Sequence, residues 1–196
     1  MPAVPDLVFR PALDADLPQL YACDPYAQDH ESRRSELRRM VEQASCIVAV
    51  EGGLPLGFAV LEYHFFGCGF IPLVCVAPAH RGKGVALALL IELAHRCVTP
   101  KLFTSTNASN APAQGLFVRA GFMRSGIIEN LDPGDPELIY FQDLASGKAQ
   151  QPLDPYGTST GGAVALALLA RTSAGPPGAG IGIHSPASLH CAITHP

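Results

Sequence analysis

The stretch from Phe70 to Cys97 constrains this chain more than any other. Phe70–Val76 is an almost wholly apolar run of strand length, as expected of a central strand buried on both faces. The chain then turns at Pro78, and Gly82 and Gly84 open a helix read over Ala86–Cys97. Glycine removes the Cβ that would keep a ligand away from the backbone. The first N–H groups of a helix have no internal acceptor. With the helix dipole and the charges of Arg81 and Lys83 they form an anion site. Small residues at Gly84, Ala86 and Ala88 allow close approach, so the segment Val76–Ala86 reads as a cradle for a diphosphate. It is not a P-loop, because its glycines are too close together and no Ser or Thr follows. It is not the dinucleotide fingerprint either, because Leu87 stands where the third glycine belongs. On residues alone the diphosphate is unspecified, and a plain tight turn from strand to helix remains an alternative.

The surrounding sequence alternates strands and helices. Strands are expected at Leu7–Arg10, Cys46–Glu51, Gly57–Phe65, Phe70–Val76, Lys101–Thr106, Gly126–Asn130 and Glu137–Asp143. Helices are expected from an N-cap at Asp14 to about Cys23, over Glu31–Gln43 with Leu37, Met40 and Val41 on one side, and over Ala111–Ala120. Gly52-Gly53 and Asp132-Pro133-Gly134-Asp135-Pro136 are turns. This order predicts a three-layer α/β fold with a mixed, central β-sheet. The composition changes near residue 150. Residues 151–196 are rich in Gly and Pro, with Asp154 and Arg171 as their charged side chains. One domain over 1–147 is therefore expected, with a poorly ordered Gly/Pro/Ala-rich extension over 148–196.

The chemistry of the whole chain narrows the function classes. A net charge of −4 offers no basic stripe for nucleic acid. No apolar run approaches the length of a membrane span. The first residues, Met1 to Asp6, carry neither a basic region nor an apolar one that would mark a signal peptide. The cysteines at 23, 46, 68, 75, 97 and 191 contain no CxxC pair and read as reduced, mostly buried thiols. A cytoplasmic protein is expected. His184, His190, Cys191 and His195 match no standard zinc spacing, so no metal is expected.

Two motifs carry a resemblance. Val76, Pro78, Arg81, Gly84 and Ala86 match the fixed positions of V-x-P-x-x-[QR]-x-x-G-x-[GA]. Asn110, Ala113, Leu116, Gly121 and Phe122 agree with N-x-x-A-x-x-L-Y-x-x-x-G-F at the expected distance downstream. Together they resemble the GNAT (Gcn5-related N-acetyltransferase) superfamily, from Leu7 to about Asp143.

The resemblance implies acetyl-CoA as acyl donor and a small-molecule or peptide amine as acceptor, with a homodimer possible. It implies that the strand holding Val74, Cys75 and Val76 pairs with the pantetheine arm through backbone groups of Val74 and Val76. Arg81, Gly82, Lys83, Gly84, Val85 and Ala86 would hold the pyrophosphate. Asn110 and the first turn of its helix, with Ala113, would touch the far side of the pantetheine, and Phe117 would lie near the thioester sulfur. The tyrosine common at that last position, which protonates the departing thiolate, is replaced by Phe117. Water, Tyr63, Tyr140 or Cys75 would then supply the proton, or the domain would bind acyl-CoA with weak or no catalysis. Glu62 is the candidate base that deprotonates the amine, with His64 a weaker one. The family's acceptor site lies between the segments corresponding to Tyr21–Glu31 and Ile127–Glu137. These contribute Asp24, Tyr26 and Glu129 as candidate acceptor contacts within an acidic rim suited to a cationic amine. Arg33, Arg34, Arg38 and Arg39 read as a solvated helix face.

Overall fold

The computed structural model describes residues 7–145, so the boundary expected at 147, the extension 148–196 and its histidines lie outside the described residues. The first strand, β1 (Val8–Pro11), is followed by three helices, α1 (Leu17–Cys23), α2 (Pro25–Asp29) and α3 (Glu31–Glu42). Then come β2 (Cys46–Glu51), β3 (Leu54–Phe65), β4 (Cys68–Val76) and α4 (Val85–Arg96). The chain ends its described course with β5 (Lys101–Asn107), α5 (Ala111–Arg119), β6 (Met123–Ile128) and β7 (Glu137–Asp143). The strands form one sheet in the order β1-β2-β3-β4-β5-β7-β6, parallel at β4–β5 and antiparallel elsewhere. This is the mixed sheet between helices that the element order predicts.

Alternation along the strands divides the core in two. Ala59 and Leu61 of β3, Ile71, Val74 and Val76 of β4, and Leu138 and Tyr140 of β7 face α4 and α5. The face of α4 that meets them is Val85, Leu89, Leu90 and Leu93, a spacing that closes one side of a 3.6-residue helix. Phe58 and Val60 of β3 and Leu73 and Cys75 of β4 face the opposite way, with Leu20, Leu37 and Met40 from the first helices. Such fully buried side chains contribute about 1.5–3 kcal/mol each.

Four expectations change. Asp14 does not cap a helix. It begins a 3-10 turn, Asp14–Asp16, and it is Asp16 that accepts the Leu13 N–H, at 2.8 Å. Residues 25–29, expected as loop, form α2, because Asp24 accepts the Tyr26 N–H at 3.0 Å and Pro25 suits a first helical position. The strand expected at Gly126–Asn130 runs instead from Met123 to Ile128. Arg33 is buried rather than solvated, and its guanidinium donates to Glu36 at 2.7 Å and lies 3.5 Å from Asp24.

Arg10 and Asp16 tie β1 to the entry of α1. Two guanidinium nitrogens donate to the two carboxylate oxygens, at 2.6 and 2.9 Å. The hydrogen bond from Arg10 holds Asp16 below the usual carboxylate range against the cost of burial, with the Leu13 N–H and Arg10 charge assisting. A depressed pKa contributes stability above the unfolded value and loses it as pH falls through the folded one. Asp16→Ala is therefore expected to cost about 1–2 kcal/mol at neutral pH. Urea titrations should show the gap to the parent closing as pH drops below the ordinary aspartate range. A pH-independent gap would show that packing, not the ion pair, sets the loss.

Candidate functional site

The site begins where β4 and β5 part. These parallel strands pair over only three rungs, Gly69–Leu102, Phe70–Phe103 and Ile71–Thr104. At the last rung Thr104 Oγ1 donates to the Ile71 carbonyl at 2.9 Å. Immediately beyond it β4 bulges. Val60 pairs with Leu73 and Glu62 with Phe70, so β4 has one residue more than β3 across this interval. Pro72, which has no N–H to give, sits in the bulge. Past it the two strands separate into a wedge.

The register fixes what lines the wedge. The Ala77 N–H donates to the Leu56 carbonyl at 2.9 Å, so Ala77, Cys75 and Leu73 turn their backbone groups toward β3. Val74 and Val76 turn theirs the other way, into the gap. The Val76 carbonyl accepts a hydrogen bond from Arg81 Nε at 3.2 Å. The side chain of Cys75 points into the core under the first helices, away from α4 and α5.

At the open end of the wedge lies a cleft of ≈ 270 Å³. Arg81, Gly82, Gly84, Val85 and Ala86 line it from the turn and α4, and Leu116 and Arg119 from α5. Gly84 is the N-cap of α4 in the left-handed region, φ 86°, with no side chain capping the helix. Gly82 is left-handed too, φ 72°. A Cβ at either position would meet no protein atom within 4 Å, so the space beside these glycines is open to a ligand. The N–H groups of Gly82, Lys83 and Gly84 find no backbone acceptor among the described residues, whereas that of Arg81 donates to Pro78 at 3.4 Å.

Asn110 caps α5, its Oδ1 accepting the Ala113 N–H at 3.2 Å, and Ala113 is fully buried. Phe117 is also fully buried, with the Tyr140 ring edge-on at 5.3 Å and Phe122 at 6.1 Å. Tyr140 pairs across the sheet with Thr104, at the level where the wedge begins. Burial holds its phenol above the usual value, with Arg124 opposing. Tyr63 turns elsewhere, its hydroxyl accepting the Val98 N–H at 3.2 Å. Glu62 is half-buried on the face away from α4 and α5, opposite Phe70. A second bulge between Glu62 and Phe65 breaks the alternation that would have put His64 beside it.

The acidic rim is mostly committed to internal bonds. Asp24 is fully buried, capping α2 beside Arg33, and burial pushes its carboxyl up while Arg33 opposes. Tyr26 stacks on His30 at 3.7 Å and receives the Arg33 guanidinium on its ring at 5.4 Å. Asp132 accepts from Asn107 Nδ2 at 2.9 Å, and Asp135 from the Ser109 backbone and hydroxyl at 2.9 and 2.6 Å. Glu129 is exposed at the β6–β7 turn. Arg119 lines the cleft although no motif marks it. Its signal was its place one helical turn beyond Leu116, toward the glycine turn.

Residues 14–122 match the family described as Acetyltransferase (GNAT) family. This chain belongs to the GNAT acetyltransferase family. An acetyltransferase of the family from Bacillus cereus shares 35% identity at a TM-score of 0.66, covering 70% of this chain and 96% of its own. A ribosomal-protein-alanine N-acetyltransferase from Brucella melitensis shares 25% identity at 0.57, covering 70% of this chain and 100% of its own. A Salmonella typhimurium protein solved with its cofactor acetyl-CoA shares 19% identity at 0.57, covering 74% and 98%, and supports the fold. No curated protein matches the chain in sequence. The protein is an acyltransferase of this family, and no described helix is long and apolar enough to cross a membrane.

The glycine turn can be tested directly. Two unit charges 4 Å apart repel by about 4 kcal/mol at an effective dielectric of about 20. Gly84→Asp puts a carboxylate where the pyrophosphate would lie, so coenzyme A affinity by titration calorimetry is expected to fall by at least about 100-fold. Unchanged affinity in a folded variant would remove the turn from the binding site.

Proposed function

We propose that this protein moves an acetyl group directly from acetyl-CoA to a primary amine. The observation that carries this reading is the wedge between β4 and β5, which opens at one end on the glycine turn and closes at Ile71–Thr104. In this reading the pyrophosphate of coenzyme A rests on the N–H groups from Gly82 to Ala86, flanked by Arg81, Lys83 and Arg119. The pantetheine amides pair with the gap-facing backbone of Val74 and Val76, as a short strand addition. The helix turn carrying Asn110 and Ala113 borders the other side, and the thioester lies at the closed end near Phe117.

An amine is mostly protonated at neutral pH and must lose a proton before it attacks. Glu62, directly or through water, is the base. The amine nitrogen bonds to the acetyl carbon, the C–S bond breaks, and the thiolate takes up a proton. Phe117 cannot give one. Of the side chains the sequence offers instead, Tyr140 is the one whose ring touches Phe117, and we assign it this role; its raised pKa keeps the phenol protonated. The five cysteines among the described residues are free thiols, which suit a reducing compartment and support a cytoplasmic site of action.

Release of free thiol from acetyl-CoA across a panel of amines tests the reading. Amine-dependent release is expected. Tight acetyl-CoA binding with no release to any amine would favour a binding module instead. Tyr140→Phe should lower kcat by about 10-fold, less than the 100-fold or more typical of a general acid, because a thiolate is a good leaving group. Acetyl-CoA affinity should hold, and adding Phe117→Tyr to that variant should restore turnover. An unaltered kcat in Tyr140→Phe would assign the proton to water.

A further inference from the structure

The face of the sheet opposite α4 and α5 carries a row of phenyl rings that the acetyl-transfer reading leaves unused. Phe65 of β3 stacks on Phe70 of β4 with centroids 4.9 Å apart and meets Phe103 of β5 at 5.2 Å. Phe103 meets Phe141 of β7 at 5.1 Å. All four are only partly buried. The first three helices pack over β2, β3 and the upper part of β4, and their buried cluster holds no residue of β5, β6 or β7. Phe66, at the tip of the β3–β4 hairpin, is 90% exposed and holds a left-handed φ of 52°.

The row has a definite relation to the wedge. Phe70 and Phe103 form the rung directly below Ile71–Thr104, where the strands part. Glu62 is the cross-strand partner of Phe70 and shares its face. Directly opposed side chains in an antiparallel pair have Cβ atoms about 4.5–5.5 Å apart. A carboxylate thus stands one side chain from a partly exposed ring, at the closed end of the wedge. Lys101 and Asp143 share this face further down and lie opposite each other, so they add no net charge. Of the carboxylates on the acidic loops, Asp24 is buried and Asp132 and Asp135 are bonded to the β5–α5 turn, which leaves Asp29 and Glu129 exposed.

Resting on the acetyl-transfer reading above, we infer that the acceptor is an arylalkylamine, a primary amine separated from an aromatic ring by a short alkyl chain. Its ammonium meets Glu62, which then takes its proton, and its ring stacks among Phe65, Phe70 and Phe103. Aromatic pairs are favoured beyond the area they bury, and the rings also attract the cation before it is deprotonated.

The full chain should be assayed with acetyl-CoA and phenethylamine, spermidine, lysine and an alanine-initiated peptide. Binding of phenethylamine to the protein saturated with coenzyme A should be measured by calorimetry alongside. Phenethylamine is expected to show a kcat/KM at least about 10-fold above the others. Phe103→Leu, which keeps the site apolar and removes the ring, should lower phenethylamine kcat/KM about five- to tenfold, through KM, and spare the KM for acetyl-CoA. Calorimetry separates the two readings. If no amine is acetylated but phenethylamine binds and Phe103→Leu weakens it, the transfer reading fails and the acceptor site stands. Preference for spermidine, lysine or the peptide, a uniform effect of Phe103→Leu on all amines, or no phenethylamine binding would overturn the inference.

Discussion

The parting of β4 from β5 after three rungs is the constraint on which the site depends. Two parallel strands in the middle of a sheet normally bond along their whole length, because unpaired backbone groups there are costly. Here pairing stops at Ile71–Thr104, and the local sequence makes that tolerable. Pro72 has no N–H to leave unpaired, the bulge resets β4 against β3, and Thr104 Oγ1 satisfies the Ile71 carbonyl. Beyond that point Arg81 takes the Val76 carbonyl. What remains is a short stretch of backbone with polar groups aimed at a gap. Such a gap suits an extended ligand with amides of its own, which is the chemistry of a pantetheine arm.

The same local chemistry explains why the anion end lies where it does. The wedge opens toward the C-terminal end of β4, and the chain must turn there to enter α4. A residue with a side chain would strain the left-handed N-cap and fill the space beside it, so Gly84 both makes the turn and leaves that space open. The buried face of α4 anchors the helix against the sheet, which keeps its first N–H groups aimed at one place. Burial in one stripe and the direction of the first N–H groups at one end are thus consequences of a single placement.

Much of this was legible in the sequence. The apolar run Phe70–Val76 marks a central strand, and Gly82 and Gly84 mark a helix start open to a ligand, because both signals are local. The three-layer fold followed from the element order. What the sequence concealed was longer-range. Residues 25–29 carry no periodicity long enough to show, and their helix depends on a cap from Asp24 and on Arg33 from the next element. The acidic rim looked solvent-facing because composition does not reveal that Asn107 and Ser109 would engage Asp132 and Asp135. Arg33 looked solvated for the same reason: its partner lies nine residues away across a turn. The phenylalanines at 65, 70, 103 and 141 are unremarkable in sequence and become one surface only through strand register.

Direct transfer requires that two reactants reach one carbon from different sides, and the sheet supplies the geometry. A wedge between strands, unlike a pocket on one face, is open to both faces. The α4–α5 face is filled by Phe117, Leu116, Tyr140 and the apolar side of α4, so the coenzyme's reactive end would meet a dry wall there. The opposite face is covered by helices over one half and by exposed rings over the other. In the proposed reading, a nucleophile arriving from that side would meet Glu62 before it meets the thioester. At the tip of the β3–β4 hairpin, Phe66 holds a left-handed conformation at a cost of about 1 kcal/mol, and its 90% exposed ring meets Phe65 edge-on at 5.0 Å, which extends the row and offsets that cost.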